Sequence, residues 1–319
     1  MVDRKYVEHV SAESSFSIET VEKVLRLLAL LRDVDKHPLL GNVLALKGGT
    51  ALNLFYGPPP RMSVDLDFNY IGKSRREEML SERPKVERAI EILAGAQQYR
   101  LQPSGEAHAG RTYHMSYQAV TGIRDRIQID LNFFHRVPIG QLVRREAWAP
   151  DGTERPSATL VSSEELFAGK FCAFMDRVAP RDAFDMARIP ELDGGAWSGP
   201  RARAVAVAMS GTLPHPLYQL SPRFESGLSP DIVEDRLYPM LTAADRPDPN
   251  ALLKEARRAA SPILEEPTDP EREYVERINR GELSPEVLFP DDDGTAELLR
   301  VHPALLWKAK NARQNQVDQ

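Results

Sequence analysis

One stretch of the chain, residues 45–68, constrains the fold more than any other part of it. It reads ALKGGTALNLFYGPPPRMSVDLDF and joins an apolar segment, two glycines, a short helix-like run, three prolines and a segment of alternating apolar and polar residues. Paired glycines interrupt a strand, and prolines end a helix because they lack an N–H and clash with the preceding turn. The stretch therefore predicts a strand, a glycine turn, a short helix and a second strand in direct succession.

The second strand, predicted near residues 62–71, carries carboxylates on one face. Side chains alternate across a strand, so Asp65 and Asp67 project together and the apolar residues around them project to the opposite face. Two close carboxylates repel each other unless a cation lies between them. Mg²⁺ is the favoured ion because it takes oxygen ligands and usually shares them with substrate phosphates, and Mn²⁺ is the alternative.

A third carboxylate follows the same design further along the chain. Residues 126–134 alternate apolar and polar side chains and predict the second arm of a hairpin, with Asp130 on its polar face. If this arm lies beside the first acidic strand, three carboxylates face one site of the kind that supports in-line phosphoryl displacement. Asp130 is therefore a candidate metal ligand.

The glycine turn supplies the complementary anion site. Backbone N–H groups at a helix N-terminus, uncovered at Gly48 and Gly49, bind phosphate oxygens, and the hydroxyl of Thr50 is expected to cap the helix and add a hydrogen bond. Arg61 is a candidate phosphate clamp, and Ser63 shares the face of the acids. A lone glycine turn is more often a plain connector, so the signal comes from its spacing to the acidic strand.

The second half of the chain has a different pattern. Residues 162–177 and a segment starting near Arg181 have helical apolar spacing, and the remainder is mainly helical with proline interruptions. A chain of 319 residues exceeds the size of one small core. We expect an α+β protein with a sheet-containing lobe over residues 1–155 and a mainly helical lobe over 156–319.

Composition restricts the partners and the compartment. The 41 Lys and Arg and the 47 Asp and Glu residues give a net charge of −6, so any nucleic-acid contact requires a local groove. The single cysteine, Cys172, excludes an internal disulfide and a cysteine-based zinc site. No apolar run approaches the roughly 20 residues that span a bilayer. We expect a cytoplasmic protein with no membrane partner.

The combined pattern resembles a known family. GGTALNLFYG followed by RMSVDLDF is similar to the first signature of the DNA polymerase β-like nucleotidyltransferases, specifically the AbiEii/AbiGii-type toxins of type IV toxin–antitoxin systems, which include the MenT toxins. KFCAFMDRVAPRDAFDMARI, residues 170–189, resembles the helical signature of that family, and the C-terminal segments EREYVERINRGELSPEVLF and HPALLWKAKNA resemble its end. The resemblance covers nearly the whole chain and implies a polymerase β-like lobe with a mixed sheet, followed by a helical lobe.

The resemblance also implies a role for each matching residue. It implies that Gly48, Gly49 and Thr50 of the glycine turn bind phosphate and that Asp65 and Asp67 of the acidic strand bind metal. In the helical signature, it implies that Lys170 binds the triphosphate and that Asp185 is an essential acid. Asp130 matches the third metal-binding carboxylate of the superfamily by strand context.

The implied activity is transfer of a nucleoside monophosphate from a nucleoside triphosphate, with CTP or another pyrimidine favoured. The implied acceptor is RNA, specifically the tRNA 3′ end, and the implied partner is a cognate antitoxin. Three alternatives stay open from the residues alone. They are a small-molecule nucleotidyltransferase of the antibiotic-modifying kind, which the acidic balance favours, a nucleotide-binding regulatory module without turnover, and a non-catalytic interaction protein.

Overall fold

The computed structural model describes residues 2–105, 109–192, 199–219 and 228–317. Contacts divide the chain into two units. The first unit comprises residues 1–136, 142–161 and 238–246, and the second comprises 137–141, 162–237 and 247–319.

A mixed seven-stranded sheet organises the first unit. Its strands are β1 (Leu44–Lys47), β2 (Asp65–Tyr70), β3 (Arg100–Pro103), β4 (Gly110–Gln118), β5 (Arg124–Asn132), β6 (Val143–Glu146) and β7 (Ser157–Leu160), in the spatial order β3-β4-β5-β2-β1-β7-β6. β2 is central, antiparallel to β1 and parallel to β5, which brings strands that are far apart in sequence side by side. The prediction of a mixed sheet is confirmed.

Five α-helices of the described residues belong to the first unit. They are α1 (Arg4–Ser14), α2 (Ile18–Lys36), α3 (Leu40–Val43), α4 (Gly48–Phe55) and α5 (Arg76–Ala96). α4 begins at Gly48 with Lys47 as its N-cap residue, so the expectation that Thr50 caps this helix is wrong. Gly48 has a φ of +72°, a conformation that glycine adopts more readily than residues with a side chain, and this allows a sharp turn from β1 into the helix.

The faces of β2 follow the predicted alternation. Leu66 and Phe68 are fully buried in the core, whereas Asp65 and Asp67 on the opposite face are half-buried. The two short strands β6 and β7 were not predicted, and β7 lies past residue 155. Each spans four residues, which is too short for an alternating pattern to stand out from its surroundings.

The second unit is helical wherever regular structure is described. Its helices are α6 (Ser163–Arg177), α7 (Pro180–Arg188), α8 (Pro200–Ser210), α9 (Pro230–Arg236), α10 (Pro249–Leu264), α11 (Asp269–Asn279), α12 (Asp293–Arg300) and α13 (Pro303–Val317). Ser162 caps α6 by accepting a hydrogen bond from the backbone N–H of Glu165, and Val178 ends the helix in the left-handed conformation. The predicted helix over 162–177 and the one starting near Arg181 are both confirmed.

Along the described parts of the chain, every helix is too short or too polar to cross a bilayer.

Candidate active site

Gly48 lets the acidic strand approach the start of α4. A Cβ atom placed on this glycine would lie 2.9 Å from Cγ and 3.0 Å from Cβ of Asp67, and closer still to its carboxylate oxygen. Its φ of +72° is also a conformation that other residues rarely adopt. The Asp67 carboxylate therefore lies directly beside the helix N-terminus, where backbone N–H groups point outward.

Three carboxylates lie on one face of the sheet. Asp65 and Asp67 are two residues apart on β2, and Asp67 is the register partner of Asp130 on the parallel strand β5. Partners in register on adjacent strands project to the same side. The structure thus brings together on neighbouring strands the three acids that the sequence singled out as metal ligands.

Asp130 has two protein donors of its own. One carboxylate oxygen accepts a hydrogen bond of 2.5 Å from Oγ1 of Thr112, and the other accepts one of 2.6 Å from Nε2 of Gln128. These bonds hold the carboxylate in a fixed orientation and leave further lone pairs on each oxygen. Its role as a metal ligand stays a prediction.

The hydroxyl of Thr50 links α4 to β2 inside the protein. Thr50 is fully buried, and its Oγ1 hydrogen-bonds the backbone carbonyl of Asp65 and lies 2.9 Å from Oγ of Ser63. A hydroxyl has one proton and a carbonyl can only accept, so Thr50 donates to Asp65 and accepts from Ser63. A contact between this side chain and phosphate would replace the bond to Asp65, and its predicted phosphate role stays a prediction.

Replacing Thr50 with valine is expected to lower the free energy of unfolding by about 1–3 kcal/mol. The Asp65 carbonyl and the Ser63 hydroxyl both lose a partner, and the start of the acidic strand loses its tie to α4. Thr50→Ser keeps the hydroxyl and serves as the matched control. Thermal unfolding of the two variants measures the difference, and a valine variant as stable as the serine variant would contradict this arrangement.

Arg61 and Ser63 lie in the segment that enters β2. Arg61 is 2% exposed and donates from Nη1 to the carbonyl of Met62 at 3.0 Å. The backbone N–H of Met62 in turn donates to the carbonyl of Met240 at 2.8 Å, which fixes the segment against residues 238–246. Whether Arg61 binds nucleotide stays a prediction.

Lys47 is a candidate that the sequence analysis missed. It is the register partner of Asp67 on the antiparallel strand β1, so its side chain lies on the same face of the sheet as the acids. The position places a positive charge beside the carboxylates and beside the first residue of α4. Only the strand pairing reveals this, since nothing in the sequence around Lys47 marks it.

In the second unit, Lys170 of α6 and Asp185 of α7 form a buried ion pair. Nζ of Lys170 lies 2.6 Å from Oδ2 of Asp185 and 3.7 Å from Oδ1 of Asp182. Asp182 also accepts two hydrogen bonds from Arg177, at 2.5 and 3.2 Å. Lys170 and Asp185, the predicted catalytic pair, are thus in direct contact, and Asp182 also lies near the lysine.

The acidic face suits a hard cation that shares its ligands with a substrate. Within the described ranges, no group of three or more His, Cys, Asp or Glu side chains is close enough together to hold a metal ion without other ligands. Mg²⁺ is usually bound through one or two carboxylates together with substrate phosphates. The oxygen donors of Asp65 and Asp67 beside the start of α4 fit that mode of binding.

Comparisons with known proteins bear on the fold and the family. The model of the family described as the nucleotidyl transferase AbiEii toxin of type IV toxin–antitoxin systems matches residues 29–262. The solved structure of MenT4, a nucleotidyltransferase toxin from Mycobacterium tuberculosis H37Rv, superposes with a TM-score of 0.68 at 18% identity, covering 94% of this chain and 99% of that chain. No curated protein matches the sequence. At this identity, the structural likeness shows a shared fold.

Proposed function

The chain belongs to the AbiEii nucleotidyl transferase toxin family of type IV toxin–antitoxin systems, and we propose that it transfers a nucleoside monophosphate from a nucleoside triphosphate to RNA. The observation that carries the proposal is the common face of Asp65, Asp67 and Asp130 beside the turn at Gly48. Binding a metal–triphosphate complex requires carboxylates for the cation and backbone N–H donors for the phosphates. In the first unit these two kinds of group are adjacent.

The proposed reaction displaces pyrophosphate. A hydroxyl of the acceptor attacks the α-phosphorus, a new phosphoester bond forms, the bond between the α- and β-phosphates breaks, and the hydroxyl proton is lost to solvent. The N–H groups of Gly48 and Gly49 and the side chain of Arg61 bind and orient the phosphates, and Ser63 joins them when its hydroxyl exchanges the hydrogen bond to Thr50 for one to phosphate. Most of the acceleration comes from this positioning and from charge stabilisation.

Asp65 and Asp67, with Asp130, are the residues that would hold Mg²⁺, with Mn²⁺ as the alternative. When bound, the ion neutralises phosphate charge and favours ionisation of the attacking hydroxyl. The chain itself fixes the direction of the carboxylates, through the strand register and the close approach of Asp67 to Gly48. Lys170 is proposed to supply a further positive charge to the nucleotide phosphates, and Asp185 is proposed as an essential acid.

The proposed acceptor is the 3′ end of tRNA, and the proposed donor is CTP or another pyrimidine nucleotide. Membership of a type IV toxin family implies a cognate antitoxin. We propose that the protein acts in the cytoplasm, where charged and uncharged tRNA are available. Addition of nucleotides to a mature tRNA end would block aminoacylation, which accounts for a toxic outcome.

Incubation with each α-³²P-labelled nucleoside triphosphate, total RNA and Mg²⁺ tests the proposal. We expect label in a tRNA-sized band, strongest with CTP or UTP, and loss of that label when EDTA is added. Tight nucleotide binding without label in RNA would instead favour a regulatory module. Label transferred to an aminoglycoside but not to RNA would favour a small-molecule enzyme, and either result would overturn the RNA proposal.

A further inference from the structure

The two members of the ion pair in the second unit differ in exposure. The side chain of Asp185 is 0% exposed, whereas the side chain of Lys170 is 9% exposed. Both side chains are buried, but of the two only Lys170 has exposed side-chain surface that a ligand from solvent can contact. The difference in exposure indicates different roles for Lys170 and Asp185, which the sequence pattern alone does not distinguish.

We propose that Asp185 is a positioning residue that acts through Lys170 and makes no contact with the nucleotide. The inference rests on the proposed function, in which Lys170 binds phosphate. A lysine side chain has four rotatable carbons and presents a point charge, so its position is poorly defined without a fixed partner. The 2.6 Å bond to a fully buried carboxylate supplies that fixed partner.

A second carboxylate also lies near Lys170. Asp182 lies 3.7 Å from Nζ of Lys170, and Arg177 binds its carboxylate through two hydrogen bonds. Asp182 and Asp185 together offset the charges of Lys170 and Arg177. If Asp185 loses its charge, Asp182 remains as a carboxylate near Lys170, and we expect the ammonium group to shift away from its original position.

A double-mutant cycle tests whether Asp185 acts only through Lys170. The variants are Asp185→Asn, Lys170→Met and the combination of the two, and the readouts are the dissociation constant of CTP and kcat/KM for transfer to tRNA. We expect each single variant to lose about 100-fold in kcat/KM. The double variant is expected to lose no more than the Lys170→Met variant, within about threefold. Losses that multiply in the double variant would show that Asp185 has its own contact with substrate and would overturn the proposal.

Folding is controlled separately because Lys170→Met removes the 2.6 Å contact of the buried Asp185 carboxylate with Lys170, and the loss of one member of a buried ion pair destabilises proteins. The double variant removes both charges and is expected to unfold at a higher temperature than Lys170→Met. If Lys170→Met does not fold, Asp185→Asn is compared directly with the double variant, and equal CTP affinities are expected. A double variant that binds CTP much more weakly than Asp185→Asn would contradict the inference.

Glu271→Gln is the matched control for stability. Glu271 forms a buried ion pair of 2.6 Å with Arg203 in the same unit and also accepts a hydrogen bond from the backbone of Thr268 at the start of α11. Burial opposes ionisation of Glu271, but these hydrogen bonds outweigh it and hold its pKa below the ordinary value. Glu271→Gln is expected to lower the unfolding temperature without changing kcat/KM. An equal loss of kcat/KM in this control and in Asp185→Asn would assign Asp185 a purely structural role.

The cycle also separates this inference from the proposed function. The wild-type protein and Asp67→Asn are assayed in the same experiment with CTP and tRNA. Absence of transfer by wild-type protein would count against the proposed function, whereas transfer by wild-type protein with multiplied losses in the double variant would count against the role of Asp185 alone.

Discussion

Asp67→Asn is expected to abolish nucleotidyl transfer and to leave the fold intact. The substitution keeps the size of the side chain but removes the negative charge nearest the start of α4, so the acidic face loses the ligand that a cation would share with phosphate. Removal of one group that stabilises transition-state charge typically costs about 10²- to 10³-fold in rate. A loss of at least this size in labelled transfer to tRNA is expected.

The fold should tolerate this change because Asp67 is half-buried on the outer face of β2, opposite the apolar core. Asp125→Asn is the matched control. It removes a strand carboxylate of the same unit that pairs with Lys23 at 3.0 Å and has no proposed role in transfer. Circular dichroism and thermal unfolding check folding in both variants. Substantial transfer by Asp67→Asn, or an equal loss in Asp125→Asn, would refute the assignment of the acidic face.

The local features of this site were predictable from the sequence. The alternation in residues 62–71 assigned Asp65 and Asp67 to one face of a strand, and the structure places them there. The glycine pair predicted the turn between a strand and a short helix, which is also observed. These predictions succeed because strand alternation and backbone conformation depend on a few neighbouring residues.

Features that depend on strand pairing were less predictable. Alternation in residues 126–134 predicted that Asp130 lies on the polar face of a strand, but its register opposite Asp67 follows from the parallel pairing of β2 with β5. Lys47 escaped notice for the same reason, since its position beside Asp67 follows from the antiparallel pairing of β1 with β2. Register is fixed by core packing over the whole sheet, and no short pattern encodes it.

Side-chain partners were the least predictable. The sequence suggested that Thr50 caps a helix and binds phosphate, whereas its hydroxyl lies inside the protein and hydrogen-bonds Asp65. The structure places Asp182 near the same lysine as Asp185, a contact that the helical spacing of the two acids does not specify. Both outcomes depend on how one element packs against another, which hydrophobic periodicity does not specify.

Gly48→Ala is expected to impair both stability and transfer. The left-handed conformation costs a residue with a Cβ about 1–2 kcal/mol. The added Cβ would also lie within 3.0 Å of the Asp67 side chain, including its Cβ, so a rotation of the carboxylate alone cannot relieve the contact. We expect transfer by the folded protein to fall about 100-fold, because the displaced Asp67 no longer lies beside the helix N-terminus.

Gly95→Ala provides the matched control for this substitution. Gly95 lies near the end of α5 and has open space where its Cβ would be, so alanine is expected there to be neutral or to stabilise by about 0.5–1 kcal/mol. The measurements are thermal unfolding and labelled transfer, the latter corrected for the folded fraction. If Gly48→Ala lowered stability but kept full transfer per folded molecule, the close approach of Asp67 to the glycine turn would not be needed for the reaction. A loss of transfer at Gly48 alone would instead connect the turn directly to the chemistry of the acidic strand.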